Sequence, residues 1–415
     1  MSRAPRPRIL LIAPSQSYRI SAYLNAAREM GVAIDIASPG KHSLVRELAE
    51  GLHIDLNDPG EALDVICSAA RSVSYNGVIA TDDAAVELAA LTASKLGLSF
   101  NSVHSSRLAR RKDLARNCLR QAGIPVPQHQ LISLADDLVT QIEGFPFPCV
   151  IKPLNLSASR GVIRANNLPE FLTACERIRP LIANQADLFE RSHLLVEAYI
   201  DGFEVALEGF LCQGKLSVLA LFDKPDPMVG PFFEETYYTT PSRLSSDVQH
   251  RILERVTSAC EAYELVEGPV HAELRVSEDE AWILEVAVRT IGGECGHLFT
   301  IASGQALESL VIANAVGLPL PDVHIKGAAG VLMIPIPGSG MLREFNGVDV
   351  AQAVRYVEEV RIIAPVGHEL VALPEGSSYL GFIFSKADTP EQAEAALLQA
   401  HEILSFKIDP VWRIS

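Results

Sequence analysis

Apolar positions along the first hundred residues come in two textures. Residues 8–13, 32–37 and 77–80 are short apolar runs that read as buried strands, while 21–30, 60–72 and 82–96 carry apolar residues at helical spacing. Strand–helix alternation of this kind predicts a small parallel sheet with helices on both faces. The turn after the first run reads Ala13-Pro14-Ser15-Gln16-Ser17, so a G-x-G-x-x-G dinucleotide fingerprint is absent. Residues 105–122 read as one basic helix with Arg107, Arg110, Arg111, Lys112, Arg116 and Arg120, ended by Gly123 and Pro125. Strands follow at 147–153, 160–165 and 194–200. A hairpin of 204–211 and 215–223 crosses Cys212-Gln213-Gly214, and 269–276 and 281–289 flank the acidic turn 277–280. From Lys326 Pro and Gly become frequent, and 348–360, 379–387 and 389–404 suggest a small α+β tail.

A chain of 415 residues exceeds one ordinary core, and 48% apolar against 21% charged residues marks a folded protein. The fold class expected is α/β and α+β multidomain, with an N-terminal parallel-sheet domain and a small C-terminal α+β domain. The boundaries expected are 1–105, 106–193, 194–325 and 326–415. A formal net charge of −16 argues against a nucleic-acid polymer or a membrane surface as partner. Neither a signal peptide nor a spanning segment is legible, and seven Cys without a C-x-x-C pair argue against a disulfide framework or structural zinc. The setting expected is the cytoplasm.

The hairpin 269–289 carries the sharpest chemistry. Centred on Asp279, it sets Glu273 opposite Glu285, with Cβ atoms roughly 4.5–5.5 Å apart. Period-2 alternation puts Trp282, Leu284, Val286 and Val288 on one face, and Glu285, Ala287 and Arg289 on the other with His271, Glu273 and Arg275. Two facing carboxylates repel unless a cation lies between them, and carboxylate oxygens beside phosphates are what Mg²⁺ prefers. Arg289 on that face suits a bidentate phosphate contact. Gly292, Gly293 and Gly296 then free the backbone to approach an anion. An exposed hairpin with a charged outer face would carry the same pattern.

Only nine Lys stand against 26 Arg, and Lys152 is embedded in the apolar run Phe147-Pro-Cys-Val-Ile-Lys-Pro153. A buried ammonium needs a partner, and a nucleotide phosphate is one candidate. The loop behind it offers hydroxyls from Ser157 and Ser159 and flexible backbone at Gly161. Residues 194–204 place Glu197 and Glu204 at the two ends of a strand and turn, where acceptors for adenine and ribose are useful.

In order and spacing these features resemble the ATP-grasp superfamily of carboxylate–amine ligases over roughly residues 8–320. The resemblance implies that Lys112 and Lys152 contact phosphates and that Ser157, Ser159 and Gly161 belong to a flap. It likewise implies an adenine hinge at Glu197, Ala198, Tyr199 and Ile200, and a ribose acceptor in Glu204. Glu273 and Glu285 match the magnesium-binding acids, and Arg289, with Gly292 and Gly293, matches the group that holds the acyl phosphate. The tail, through residues 328–336 and 379–384, is similar to the C-terminal domain of bacterial L-amino-acid ligases. Segment 231–241 resembles the strand that faces the first amino acid in those ligases, which implies that Glu235 accepts an α-ammonium group, while Phe233, Tyr237 and Tyr238 read equally well as ordinary strand packing. ATP and Mg²⁺ (or Mn²⁺) are the implied cofactors, small carboxylates and amines the implied partners, and a homodimer the implied assembly.

Three positions depart from the family pattern. Leu156 and Ala158 stand where many flaps have glycine, which implies a stiffer loop. Arg111-Lys112 replaces the usual Asp-Lys, and Ala287 replaces the Asn of E-x-N-x-R. Ala287 also occurs in purine-pathway carboxylating ligases, so a bicarbonate-dependent ligase is the alternative. A non-catalytic nucleotide-binding protein is a third reading.

Overall fold

The computed structural model describes residues 6–15, 17–39, 51–277 and 279–411. Its described strands form four sheets. The first is parallel, built from Gly51–His53, Ala33–Ser38, Arg8–Ile12 and Gly77–Ala80 in that order, with Arg8–Ile12 paired on both sides. A strand paired on both edges and covered on both faces must be apolar throughout, and Ile9 to Ile12 are fully buried. Helices Ile20–Met30 and Pro59–Ala69 connect strands of this sheet, and Asp83–Leu96 follows its last strand. The expected alternation is therefore present.

The basic segment is not one helix. It forms Val103–Arg110 and Lys112–Gln121, broken at Arg111, whose backbone is extended (φ −100°, ψ 104°). The Lys112 N–H donates to the Leu154 carbonyl at 3.0 Å instead of continuing a helical ladder. A long-range strand-end contact thus outweighs helical propensity and puts Lys112 at the start of a helix, facing the strand that carries Lys152.

A four-stranded antiparallel sheet follows, in the order His129–Ser133, His193–Ala198, Cys149–Pro153, Ile163–Ala165. Helix Leu168–Ile182 packs its apolar stripe of Phe171, Cys175, Ile178 and Ile182 against it, making a core of its own.

The largest sheet has eight strands. Its first half runs Ala281–Ala287, Gly268–Val276, Phe203–Cys212, Lys215–Lys224, and its second Tyr237–Thr240, Ala328–Ile334, Gly381–Ala387, Val357–Ile362. Three of these strands come from the tail beyond Lys326, so tail and central region share one hydrogen-bonded sheet. The segment 348–360 divides into a short helix, Val348–Gln352, and the strand Val357–Ile362. Among the described residues no helix is long and apolar enough to cross a membrane.

Candidate active site

The three larger sheets converge on a cleft of about 970 Å³ lined by residues from every part of the chain, Lys112, Lys152, Ser157, Tyr199, Glu235, Glu273, Glu285 and Arg289 among them. Glu273 pairs directly with Glu285 across the antiparallel ladder, as the hairpin arithmetic predicts. The face assignment of Trp282 and Leu284 is corrected. A bulge shifts the register, so that Leu274 faces Ile283 and Arg275 faces Trp282. Ala281 and Ile283 are buried with Val286 and Val288, whereas Trp282, Leu284 and Glu285 are only partly so, which puts Trp282 and Leu284 on the side of Glu285. A bulge adds one residue to a strand and re-aims its neighbours. Here it turns Leu284 toward the cleft, where its carbonyl accepts from Arg116 Nη2 at 2.6 Å.

Cations flank both carboxylates. Lys112 Nζ lies 3.5 Å from Glu285 and donates to the Leu156 carbonyl at 2.9 Å. Lys224 Nζ lies 3.0 Å from Glu273, 2.9 Å from Glu204 and 3.1 Å from Glu235. Burial opposes charge on Lys224, but its three carboxylates outweigh that and raise its pKa well above the usual lysine value. Glu235 is pushed up by burial and by the neighbouring charge of Glu273, despite Lys224. Glu273 is held well below the usual carboxylate range: burial works against this, and Lys224 and His271 prevail. Arg275 takes the other side of Glu204 at 3.1 Å, so Lys224 and Arg275 neutralise two of these three acids.

A divalent cation fits this donor set. Among the described residues no group of three or more His, Cys, Asp and Glu could hold a metal ion by itself. Glu273 and Glu285 offer two facing carboxylates, and a cation held there takes its remaining ligands from phosphate and water. Ala287, opposite His271, adds no oxygen.

Lys152 and Glu197 occupy the floor. Glu197 is 2% exposed and binds both Lys152 and Arg116. Burial alone would raise its pKa, yet Arg116 and then Lys152 hold it down at about 2. For Lys152, burial prevails over Glu197 and lowers its pKa. The Glu197 carboxylate is thus engaged from within, and Ala198, Tyr199 and Ile200, the expected hinge residues, line the cleft beside it. The Tyr199 ring lies between Arg164 at 4.1 Å and Arg275 at 5.0 Å, which fixes its orientation.

Several site residues were not legible in the sequence. Asp83 holds Arg289 through two forked contacts, 3.1 Å at Nε and 3.0 Å at Nη2, and accepts from the Ser157 hydroxyl at 2.7 Å. An N-terminal carboxylate therefore ties the expected phosphate arginine to the expected flap. Burial opposes ionisation of Asp83, but Arg289 holds its carboxyl far below the usual range. Lys224 had a signal, since it ends an apolar run as Lys152 does. Arg111 turns away from the cleft into a bidentate pair with Asp113, 2.9 Å at each oxygen, so its charge is absorbed locally.

The loop 157–161 has glycine-like backbone at two positions that are not glycine. Ala158 and Ser159 have φ of 55° and 53°, in the left-handed region, and Gly161 has φ 68°. Ordinary residues held there are strained, a frequent property of loops that move on ligand binding. Replacing Asp83 by Ala is expected to free this loop. Limited proteolysis without nucleotide should cut at 157–161 roughly fivefold faster, matching about 1 kcal/mol for a lost exposed hydrogen bond. An unchanged cutting rate, read by mass spectrometry of the first fragments, would show the tether to be idle.

The comparisons agree with this geometry. An ATP-grasp domain model matches residues 145–297, and a model for L-amino acid ligase C-terminal domain 2 matches residues 332–409. The alanine–anticapsin ligase of Bacillus subtilis is 25% identical over 257 residues, covering 58% of this chain and 54% of the relative. The chain thus matches about half the length of that relative. The crystal structure of an L-amino acid ligase from Bacillus licheniformis superposes with a TM-score of 0.86 at 24% identity, over 98% of this chain and 100% of that one. An N5-carboxyaminoimidazole ribonucleotide synthetase from Thermotoga maritima follows at a TM-score of 0.71 and 17% identity, over 97% and 100% of the two chains. Residues 145–297 thus match an ATP-grasp domain and residues 332–409 an L-amino acid ligase C-terminal domain, on a chain with the fold of the L-amino acid ligase structure.

Proposed function

We propose that the chain is an ATP-dependent carboxylate–amine ligase that joins two amino acids through an acyl phosphate, releasing ADP and phosphate. The observation that carries this reading is the Glu273–Glu285 pair, set across one ladder beside Arg289 and Lys112 in a deep cleft. Mg²⁺ or Mn²⁺ held by those two carboxylates would neutralise charge on phosphoryl oxygens.

The chain's own groups have separate tasks. Lys112 and Lys152 hold phosphates of ATP, Ala198–Ile200 and Glu204 hold its adenine and ribose, and Ser157, Ser159 and Gly161 cover it. Arg289 stabilises the charge that develops as the substrate carboxylate attacks the γ-phosphorus and ADP leaves. Asp83 must release Arg289 for this. The acyl phosphate then rests against Arg289 and the Gly292–Gly293 backbone, while Glu235 receives the α-ammonium of the acyl substrate. The second amino acid loses a proton, its free amine attacks the acyl carbon, and phosphate departs. Water must be kept out meanwhile, which is the task of loop 157–161. A homodimer in the cytoplasm belongs to the same reading.

Ala287 favours a bicarbonate-dependent ligase as the second reading, and the match of the tail to the amino acid ligase model counts against it. One assay separates them. Phosphate release from ATP should require two amino acids, with a dipeptide seen by mass spectrometry. Release that depends instead on bicarbonate and an amine would overturn the dipeptide reading.

A further inference from the structure

Arg19 is the feature that the ligase roles above leave unused. It follows the first strand, is 8% exposed and lines the cleft. Its Nη1 donates to the Thr81 carbonyl and its Nη2 to the Ile291 carbonyl at 3.2 Å. A guanidinium has five N–H donors, so two carbonyls and the neighbouring Tyr18 hydroxyl still leave donors unspent. No carboxylate among the described residues forms an ion pair with it, whereas the fork of Arg289 is filled by Asp83. A desolvated cation with spare donors at the wall of a cleft is suited to an anion.

The surroundings define which anion. Gly292 is directly in front of the guanidinium: a Cβ there would stand 3.5 Å from Arg19 Nη2 and 3.6 Å from the Tyr18 hydroxyl. That is van der Waals contact and no clash, so the missing Cβ keeps the approach to the guanidinium open at this point. Ile291 is fixed from behind, its N–H donating to both oxygens of the buried Glu208 at 3.3 and 3.1 Å. The cleft also holds Tyr379, whose phenol is pushed far up by burial and then by the charge of Glu235, with Tyr18 among its other neighbours. The cleft is thus lined by the acid Glu235 as well as by Arg19.

We propose that Arg19, with the open space at Gly292, is the subsite for the α-carboxylate of the amine-side amino acid. The inference rests on the ligase reading and goes beyond it by naming what selects the second substrate. The reacting carboxylate belongs to Arg289 and the phosphates. A second zwitterion entering beside Gly292 puts its carboxylate on Arg19, and its amine is then directed toward the acyl carbon. Arg19 acts as a specificity-determining residue, because an amine without that carboxylate would lack the contact.

The test is calorimetric titration of the full chain, with Mg²⁺ and a non-hydrolysable ATP analogue. Each common L-amino acid and its primary carboxamide serve as probes. The wild type is expected to bind at least one acid ten- to 150-fold more tightly than its amide, the range for hydrogen bonds to a charged group. In Arg19→Ala that preference should fall to near unity, with ATP affinity within twofold, and Arg19→Lys should restore part of it. Loosened packing alone would weaken acid and amide together, and that outcome overturns the proposal. A wild type that binds amides as well as acids overturns it without any variant. Product formation is read separately: a chain that binds acids through Arg19 but makes no amide refutes the ligase reading and leaves this subsite standing.

Discussion

Replacing Glu285 by Gln is expected to lower ATP turnover by about 10²–10³-fold or more while leaving thermal unfolding close to wild type. The two halves of this expectation have different origins. Glu285 is at the rim, with 24% of its side chain exposed, and its cations are distant, Lys112 at 3.5 Å and Arg289 at 3.8 Å. Long, partly solvated pairs contribute little to stability, and Gln keeps the shape. Chemistry is another matter, because Gln cannot supply the negative charge that a divalent cation needs between Glu273 and Glu285. Phosphate release measured over a Mg²⁺ series should therefore fall at every concentration, with partial recovery at the highest. Undiminished turnover at low Mg²⁺ would remove Glu285 from the site.

The second large effect is on stability. Glu197→Ala leaves Arg116 and Lys152 buried without their shared anion, and is expected to destabilise the fold by about 3–5 kcal/mol. Arg116 is 1% exposed and Glu197 2%, so water cannot take over the lost contacts. The pH dependence follows from the same group. Its carboxyl titrates at about 2 in the folded chain against 4.5 unperturbed. A lowered pKa means stability that is fully present above 4.5 and lost as pH falls from there toward 2, on the order of 3 kcal/mol over the whole window. Urea unfolding at pH 7 and pH 3.5 measures it, and Glu197→Gln should show a smaller loss between the two than wild type. Equal losses would mean that other carboxylates govern acid unfolding.

Legibility in the sequence followed distance along the chain. The Glu273–Glu285 pairing was readable because a hairpin is local: side chains alternate with period 2 and the turn sets the offset. The bulge at Leu284 was not readable from alternation, and the Leu284 carbonyl finds its partner in Arg116, 168 residues away. Lys152 stood out as a cation within an apolar run, but its partner Glu197 needed the neighbouring strand. Arg111 read as mid-helix on local propensity. The chain breaks there because Lys112 donates to Leu154.

The sequence by itself determined the order of the candidate site motifs, the parallel N-terminal sheet and the facing carboxylates, all of which rest on short-range periodicity and spacing. Tertiary structure alone decided which charges meet across the cleft. Asp83 reaches Arg289 over 206 residues, and Arg19 reaches Ile291 over 272. Such contacts depend on how whole sheets and helices pack, and no local pattern of apolar and polar residues encodes which buried cation receives an internal carboxylate and which is left with donors for a substrate.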